Sequence, residues 1–101
     1  MKERDVERYL VKRAKALGGE VRKVQWIGHR GAPDRLVMLP YGSWKKTLRD
    51  PGDNTFWVEL KAPGVKAEAH QLREHDRMRK KGQTVVIIDS LEGVDNLLGV
   101  V

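Results

Sequence analysis

Three side chains in this sequence have the types and spacing of a metal site. Asp34 lies in Ala32-Pro33-Asp34-Arg35, and 25 positions on come Glu59 and Lys61 in Thr55-Phe56-Trp57-Val58-Glu59-Leu60-Lys61. Side chains of an extended strand alternate between faces, so Glu59 and Lys61 share one side while Phe56, Val58 and Leu60 share the other. Charges in an otherwise apolar strand are costly to desolvate unless they are paired or metal-bound. Pro33 drives Ala32 towards an extended conformation, and Asp34 precedes the apolar run Leu36 to Leu39, so Asp34 opens a second strand. If the two strands are neighbours, Asp34 and Glu59 can share an oxygen-seeking cation such as Mg²⁺, with Lys61 beside it. Spacing alone leaves a second reading open, a structural salt bridge between Lys61 and one carboxylate.

The elements that must position these groups follow an αβββαβ order. Val6, Leu10, Ala14 and Leu17 recur at helical spacing, which predicts a helix over Glu3 to Leu17 that Gly18-Gly19 terminates. Arg8, Lys12 and Lys15 occupy its remaining face. A first strand is expected over Glu20 to Trp26, and the turn Gly28-His29-Arg30-Gly31 folds it into a hairpin with the strand opened by Asp34. Pro40-Tyr41-Gly42-Ser43 ends that second strand, and Asp50-Pro51-Gly52-Asp53-Asn54 is a dense turn signal before the third. Between them lies an exposed basic stretch, Trp44 to Arg49, which includes Lys45 and Lys46. Ala67 to Lys81 reads as a second helix closed by Gly82, Thr84 to Asp89 as a short, fully buried fourth strand, and Leu91 to Leu98 as a final short helix.

Proline-aspartate, a variable gap and then acid-x-lysine resembles the signature of the PD-(D/E)xK nuclease superfamily. The surrounding blocks are similar to its virus-type replication-repair nuclease branch, the VRR-Nuc domains. The matching segments are Gly31-Ala32-Pro33-Asp34-Arg35-Leu36-Val37, Val58-Glu59-Leu60-Lys61-Ala62-Pro63-Gly64, and Gln71-Leu72-Arg73-Glu74-His75 leading to Gly82 and Val85-Val86-Ile87-Ile88-Asp89-Ser90. They span nearly the whole chain in one order. The resemblance implies an α/β, restriction-endonuclease-like αβββαβ core with a mixed central sheet flanked by helices. It also implies Mg²⁺- or Mn²⁺-dependent cleavage of phosphodiesters in structured DNA by a homodimer, as in the compact phage members. Asp34 and Glu59, with the Leu60 carbonyl, are then the metal ligands, and Lys61 positions water and offsets developing charge.

The same resemblance assigns two further residues. Gln71 stands where VRR-Nuc proteins carry a glutamine facing the active site, and its amide can orient water or Lys61; without the resemblance it reads as an ordinary solvated helix residue. Members of the branch often carry an acid on the first helix that reaches the metal or its water. Glu7, in Val6-Glu7-x-x-Leu10, fits that role best, and Glu3 is the substitute. Both acids also suit a helix N-terminus, where negative charge offsets the macrodipole.

The remaining polar residues carry weaker signals. His29, His70 and His75 form no recognised ligand spacing and are expected to be solvated, although His29 and Arg30 lie close enough to Asp34 to touch a bound phosphate. Arg30, Lys45, Lys46 and Arg73 are the candidate DNA contacts, since neutralising phosphates supplies most sequence-independent affinity. Trp44 can stack on bases or pack in a dimer interface, whereas Trp26 and Trp57 read as core.

Composition bounds these assignments. A chain of 101 residues has room for one domain and one core. Lys plus Arg number 20 against 14 acids, a net charge of +6 and a pI near 9.8, which favours a polyanionic partner. With no cysteine there is neither a disulfide framework nor a thiolate zinc site. The N-terminal region lacks a signal-peptide core, and no apolar run approaches the roughly 20 residues that span a bilayer, so a cytoplasmic protein without membrane contact is expected. A phage-encoded member would work in the cytoplasm of its bacterial host. The expected function is a metal-dependent, structure-specific endonuclease acting on branched DNA such as four-way junctions. The alternatives are a flap or other structure-specific nuclease, a non-catalytic nucleic-acid-binding module with this fold, and an interaction protein whose basic surface is incidental.

Overall fold

A computed structural model describes residues 1–40 and 54–99. Its element order is α1 (Glu3–Ala16), β1 (Glu20–Lys23), β2 (Arg35–Met38), β3 (Thr55–Leu60), α2 (Ala69–Lys80), β4 (Val85–Ile88) and α3 (Leu91–Leu98). The four strands form one sheet in the order β1-β2-β3-β4. The first three are mutually antiparallel, and β4 joins β3 in parallel through the α2 crossover. This is the mixed α/β sheet expected from the sequence.

Helix α1 forms because Val6, Leu10 and Ala14 make one fully buried stripe. Its N-terminus is held by the Asp5 carboxylate, which accepts the Lys2 backbone N–H at 2.7 Å, a bond that keeps the Asp5 carboxyl below its usual range. Its C-terminus closes when the Gly19 N–H donates to the Ala14 carbonyl at 2.8 Å. Gly19 has no room for a side chain there, since a Cβ would stand 2.4 Å from the Met38 carbonyl oxygen. That contact locks the end of α1 onto β2.

The two sheet faces differ in chemistry. Val37, Phe56, Val58, Leu60 and Ile88 meet α1 and α3 on one face and build the core with Val6, Leu10, Ala14, Val94, Leu97 and Leu98. Tyr9 and Arg13 of α1 both donate to Asp95 of α3, which fastens these helices together. The opposite face carries Trp57 and Glu59 and is faced by α2. Trp26 and Trp57 are half-buried and pack against each other in a tilted arrangement, 5.0 Å between ring centroids.

Two expectations require correction, and a third falls on residues that are not described. Strand β1 ends at Lys23 rather than Trp26, although the Val24 N–H still reaches the Asp34 carbonyl at 2.9 Å. Beyond it the chain turns so that the Trp26 indole can donate to the Pro33 carbonyl at 2.6 Å. Strand β4 is not fully buried, because it pairs only with β3 among the described residues and Ile87 is 37% exposed. The Trp44 to Arg49 stretch, with Lys45 and Lys46, lies outside the described residues. No helix among the described residues is long and apolar enough to cross a membrane.

Candidate active site

The antiparallel β2–β3 register pairs Arg35 with Val58 and Leu36 with Trp57. Carried one residue past the ladder, it sets Asp34 opposite Glu59. Directly opposed residues of antiparallel strands project to the same side, and here that is the α2 side. The Asp34 side chain is 56% exposed, while Glu59 as a residue is only 8% exposed. Burial therefore pushes the Glu59 carboxyl up to about 7; Lys61 opposes the rise, and the charges of Asp34 and Glu3 add to it. Lys61 is placed by continuation of the β3–β4 pairing, its N–H donating to the Ile88 carbonyl at 3.0 Å. Its ammonium Nζ lies 3.7 Å from Glu59 Oε2.

Helix α2 supplies two more groups. The Gln71 Oε1 accepts the Glu68 backbone N–H at 2.8 Å, which fixes the amide and turns its Nε2 to Glu59 Oε2 at 3.4 Å. One turn on, His75 is completely buried, with Nε2 at 3.7 Å from Glu59 Oε1. Neither ring nitrogen of His75 has a partner at normal hydrogen-bond geometry. Burial, reinforced by the Arg79 charge and opposed by the Gly31 backbone, holds its pKa below the usual histidine range, so the ring is neutral at pH 7. The expectation of a solvated histidine is thus overturned at position 75. The available signal was its spacing of four from Gln71, which puts both on one helix face. His29 is exposed, and half-buried His70 faces Glu68 at 3.3 Å.

The loop that delivers Asp34 is clamped against this helix. Gly31 has φ +87°, and a Cβ there would stand 2.8 Å from the His70 carbonyl oxygen. Glycine is required on both counts. The Gly-Ala-Pro-Asp segment thereby reaches its strand in contact with the start of α2.

The α1 acid is placed differently from expectation. Glu7 does not face Glu59; its Oε2 is held by Arg35 Nε and Nη2, both at 2.5 Å. Arg35 projects to the α1 face of the sheet, paired with Val58, and captures Glu7 there. Its Nη1 lies 2.9 Å from Asp34 Oδ1, so Glu7 connects to the site only through this guanidinium. Glu3 is the α1 acid whose charge is felt at Glu59. Leu60 buries its side chain in the core on the far face, which leaves its backbone carbonyl as the group available to the site. Arg30 and Arg73 are exposed, Arg73 lying two positions from Gln71 and therefore on the outer side of α2.

No group of three or more His, Asp or Glu side chains converges in ligating position among the described residues. Mg²⁺ needs no such cage, since it takes one or two carboxylates and keeps several waters. Asp34 and Glu59 would supply oxygen donors of that kind. A buried carboxyl driven towards neutrality beside another acid is the electrostatic state that a cation would relieve.

No family model matches this chain. It is 39% identical over 90 residues to the protein named “Putative nuclease p44” of Acyrthosiphon pisum secondary endosymbiont phage 1, covering 89% of this chain and 85% of the relative. A solved structure described as a VRR_NUC domain superposes with a TM-score of 0.74 at 42% identity, over 94% of this chain and 91% of that one. Identity and coverage of this extent, on the same mixed sheet, show that this chain belongs to the VRR-Nuc domain family.

Proposed function

We propose that this chain acts as a single nuclease domain that hydrolyses phosphodiesters in DNA with Mg²⁺, or with Mn²⁺ in its place. Its preferred substrate is branched DNA such as a four-way junction, and a homodimer would present two sites to opposed strands. The observation that carries this reading is Asp34 set opposite Glu59 across the β2–β3 ladder, with Lys61 3.7 Å from the buried Glu59 carboxylate. A domain this small has few means of reading base edges, which favours recognition of DNA shape.

Asp34, Glu59 and the Leu60 carbonyl would hold the cation, which when bound supplies Lewis-acid stabilisation to the phosphoryl oxygens and a more acidic water. Lys61 contributes positive charge where negative charge develops on the phosphate and donates to the attacking water. Gln71 fixes Glu59 Oε2 through its own bond to the start of α2, and His75 faces Oε1 as a neutral group. Both therefore orient the Glu59 carboxylate. On α1, the charge of Glu3 adds to the rise at Glu59, while Glu7 is engaged by Arg35.

The test is cleavage of labelled four-way junction, flap and linear duplex DNA with Mg²⁺, with Mn²⁺ and with chelator, alongside Lys61→Ala. Symmetric metal-dependent cutting of the junction that the variant lacks is the expected result. Cutting of the flap alone would reassign the substrate, and binding without cutting in either metal would replace the nuclease with a DNA-binding module.

A further inference from the structure

Helix α1 and edge strand β1 enclose an open groove of about 480 Å³, lined by Arg8, Lys12, Lys15, Lys23 and Arg35 above a floor that includes Val11 and Val21. Five cationic side chains meet a single carboxylate, Glu7, which Arg35 already neutralises. Arg8, Lys12 and Lys15 project from one side of α1 and make no ion pair among the described residues. On α2, by contrast, the only Arg or Lys without an ion pair or hydrogen bond among the described residues is Arg73: Arg77 is bound to Glu74, Arg79 to the Val85 carbonyl and Lys80 to Asp76. Arg8, Lys12 and Lys15 thus form one exposed row of cations without an ion pair among the described residues.

The groove leads to the candidate active site. Lys23 and Arg35 also line the adjoining pocket, which contains Asp34. From Arg8 to Lys15 the helix rises about 10 Å, which matches about three nucleotide steps at 3.4 Å per step. We infer that the α1–β1 groove is the track for the DNA backbone on one side of the scissile phosphate, with Arg8, Lys12, Lys15 and Lys23 as phosphate contacts. This inference rests on the nuclease reading and adds to it the direction in which the substrate leaves Asp34. Contacts of this kind carry affinity and register but no base sequence.

Binding of labelled four-way junction and duplex DNA, measured by anisotropy across a NaCl series in chelator, tests the track without cleavage. For Lys12→Gln/Lys15→Gln, the slope of log affinity against log salt should fall by about 2 relative to the parent. Lys80→Gln/Lys81→Gln removes equal charge at the far end of α2 and should leave the slope unchanged. Lys23→Gln alone, on a different element, should lower it by about 1, and melting curves establish that each variant is folded. A groove variant with the parent's slope, or a control pair that loses as much, overturns the track. A parent protein without salt-dependent DNA affinity would instead overturn the nuclease reading on which it rests.

Discussion

The buried His75 ring directs Nε2 at Glu59 Oε1 across 3.7 Å, while Gln71 and Lys61 address the other oxygen of the same carboxylate. A buried neutral imidazole whose nitrogens make no hydrogen bond of normal geometry is costly, so its placement against Glu59 requires a return at that contact. His75→Leu should weaken Mn²⁺ binding by about 10-fold or more, read by the paramagnetic signal of free Mn²⁺. His75→Gln, which retains an Nε2 donor, should recover most of the loss. Equal Mn²⁺ affinity in parent and His75→Leu would leave His75 as a packing residue only.

Glu59 makes metal-free stability depend on pH. Its folded-state pKa of about 7 lies above the ordinary glutamate value of 4.5, so the folded protein binds this proton more tightly than the unfolded chain does. The contribution to stability is full below 4.5 and is lost as pH rises through 7. The gap corresponds to roughly 3 kcal/mol. Glu59→Gln mimics the protonated form, so in chelator at pH 8 it should be more stable than the parent by up to that amount, and at pH 4 nearly equal to it. Urea titrations at the two pH values check this, and a variant destabilised equally at both would exclude a desolvated Glu59.

Lys61→Ala removes the one ammonium beside Glu59 among the described residues without touching the core. Single-turnover cleavage should fall by at least about 100-fold, while DNA affinity in chelator changes little. Unchanged cleavage would remove Lys61 from the mechanism.

Gly31→Ala tests the clamp between the Asp34 loop and α2. The methyl would meet the His70 carbonyl in a backbone conformation unfavourable to any L side chain. A loss of about 1–3 kcal/mol is expected, with a smaller Mg²⁺-induced rise in melting temperature because Asp34 is displaced. A variant that melts with the parent would show that the loop is free of the helix.

Much of the site is written in local sequence. Strand alternation is a property of the backbone itself, so Glu59 and Lys61 were bound to share a face wherever β3 was placed, and Val6, Leu10 and Ala14 define the buried stripe of α1 in the same way. Pro33 and the apolar run after Asp34 likewise mark the start of β2. Tertiary structure decided what depends on the opposing element. The β2–β3 register set Asp34 across from Glu59, and Arg35 drew Glu7 to the α1 face, leaving Glu3 as the acid felt at Glu59. His75 stands among charged residues in sequence, and its burial follows only from the packing of α2 over the Glu59 face. Local periodicity determines where a side chain points, whereas its burial and its partners are determined by what another part of the chain places against it.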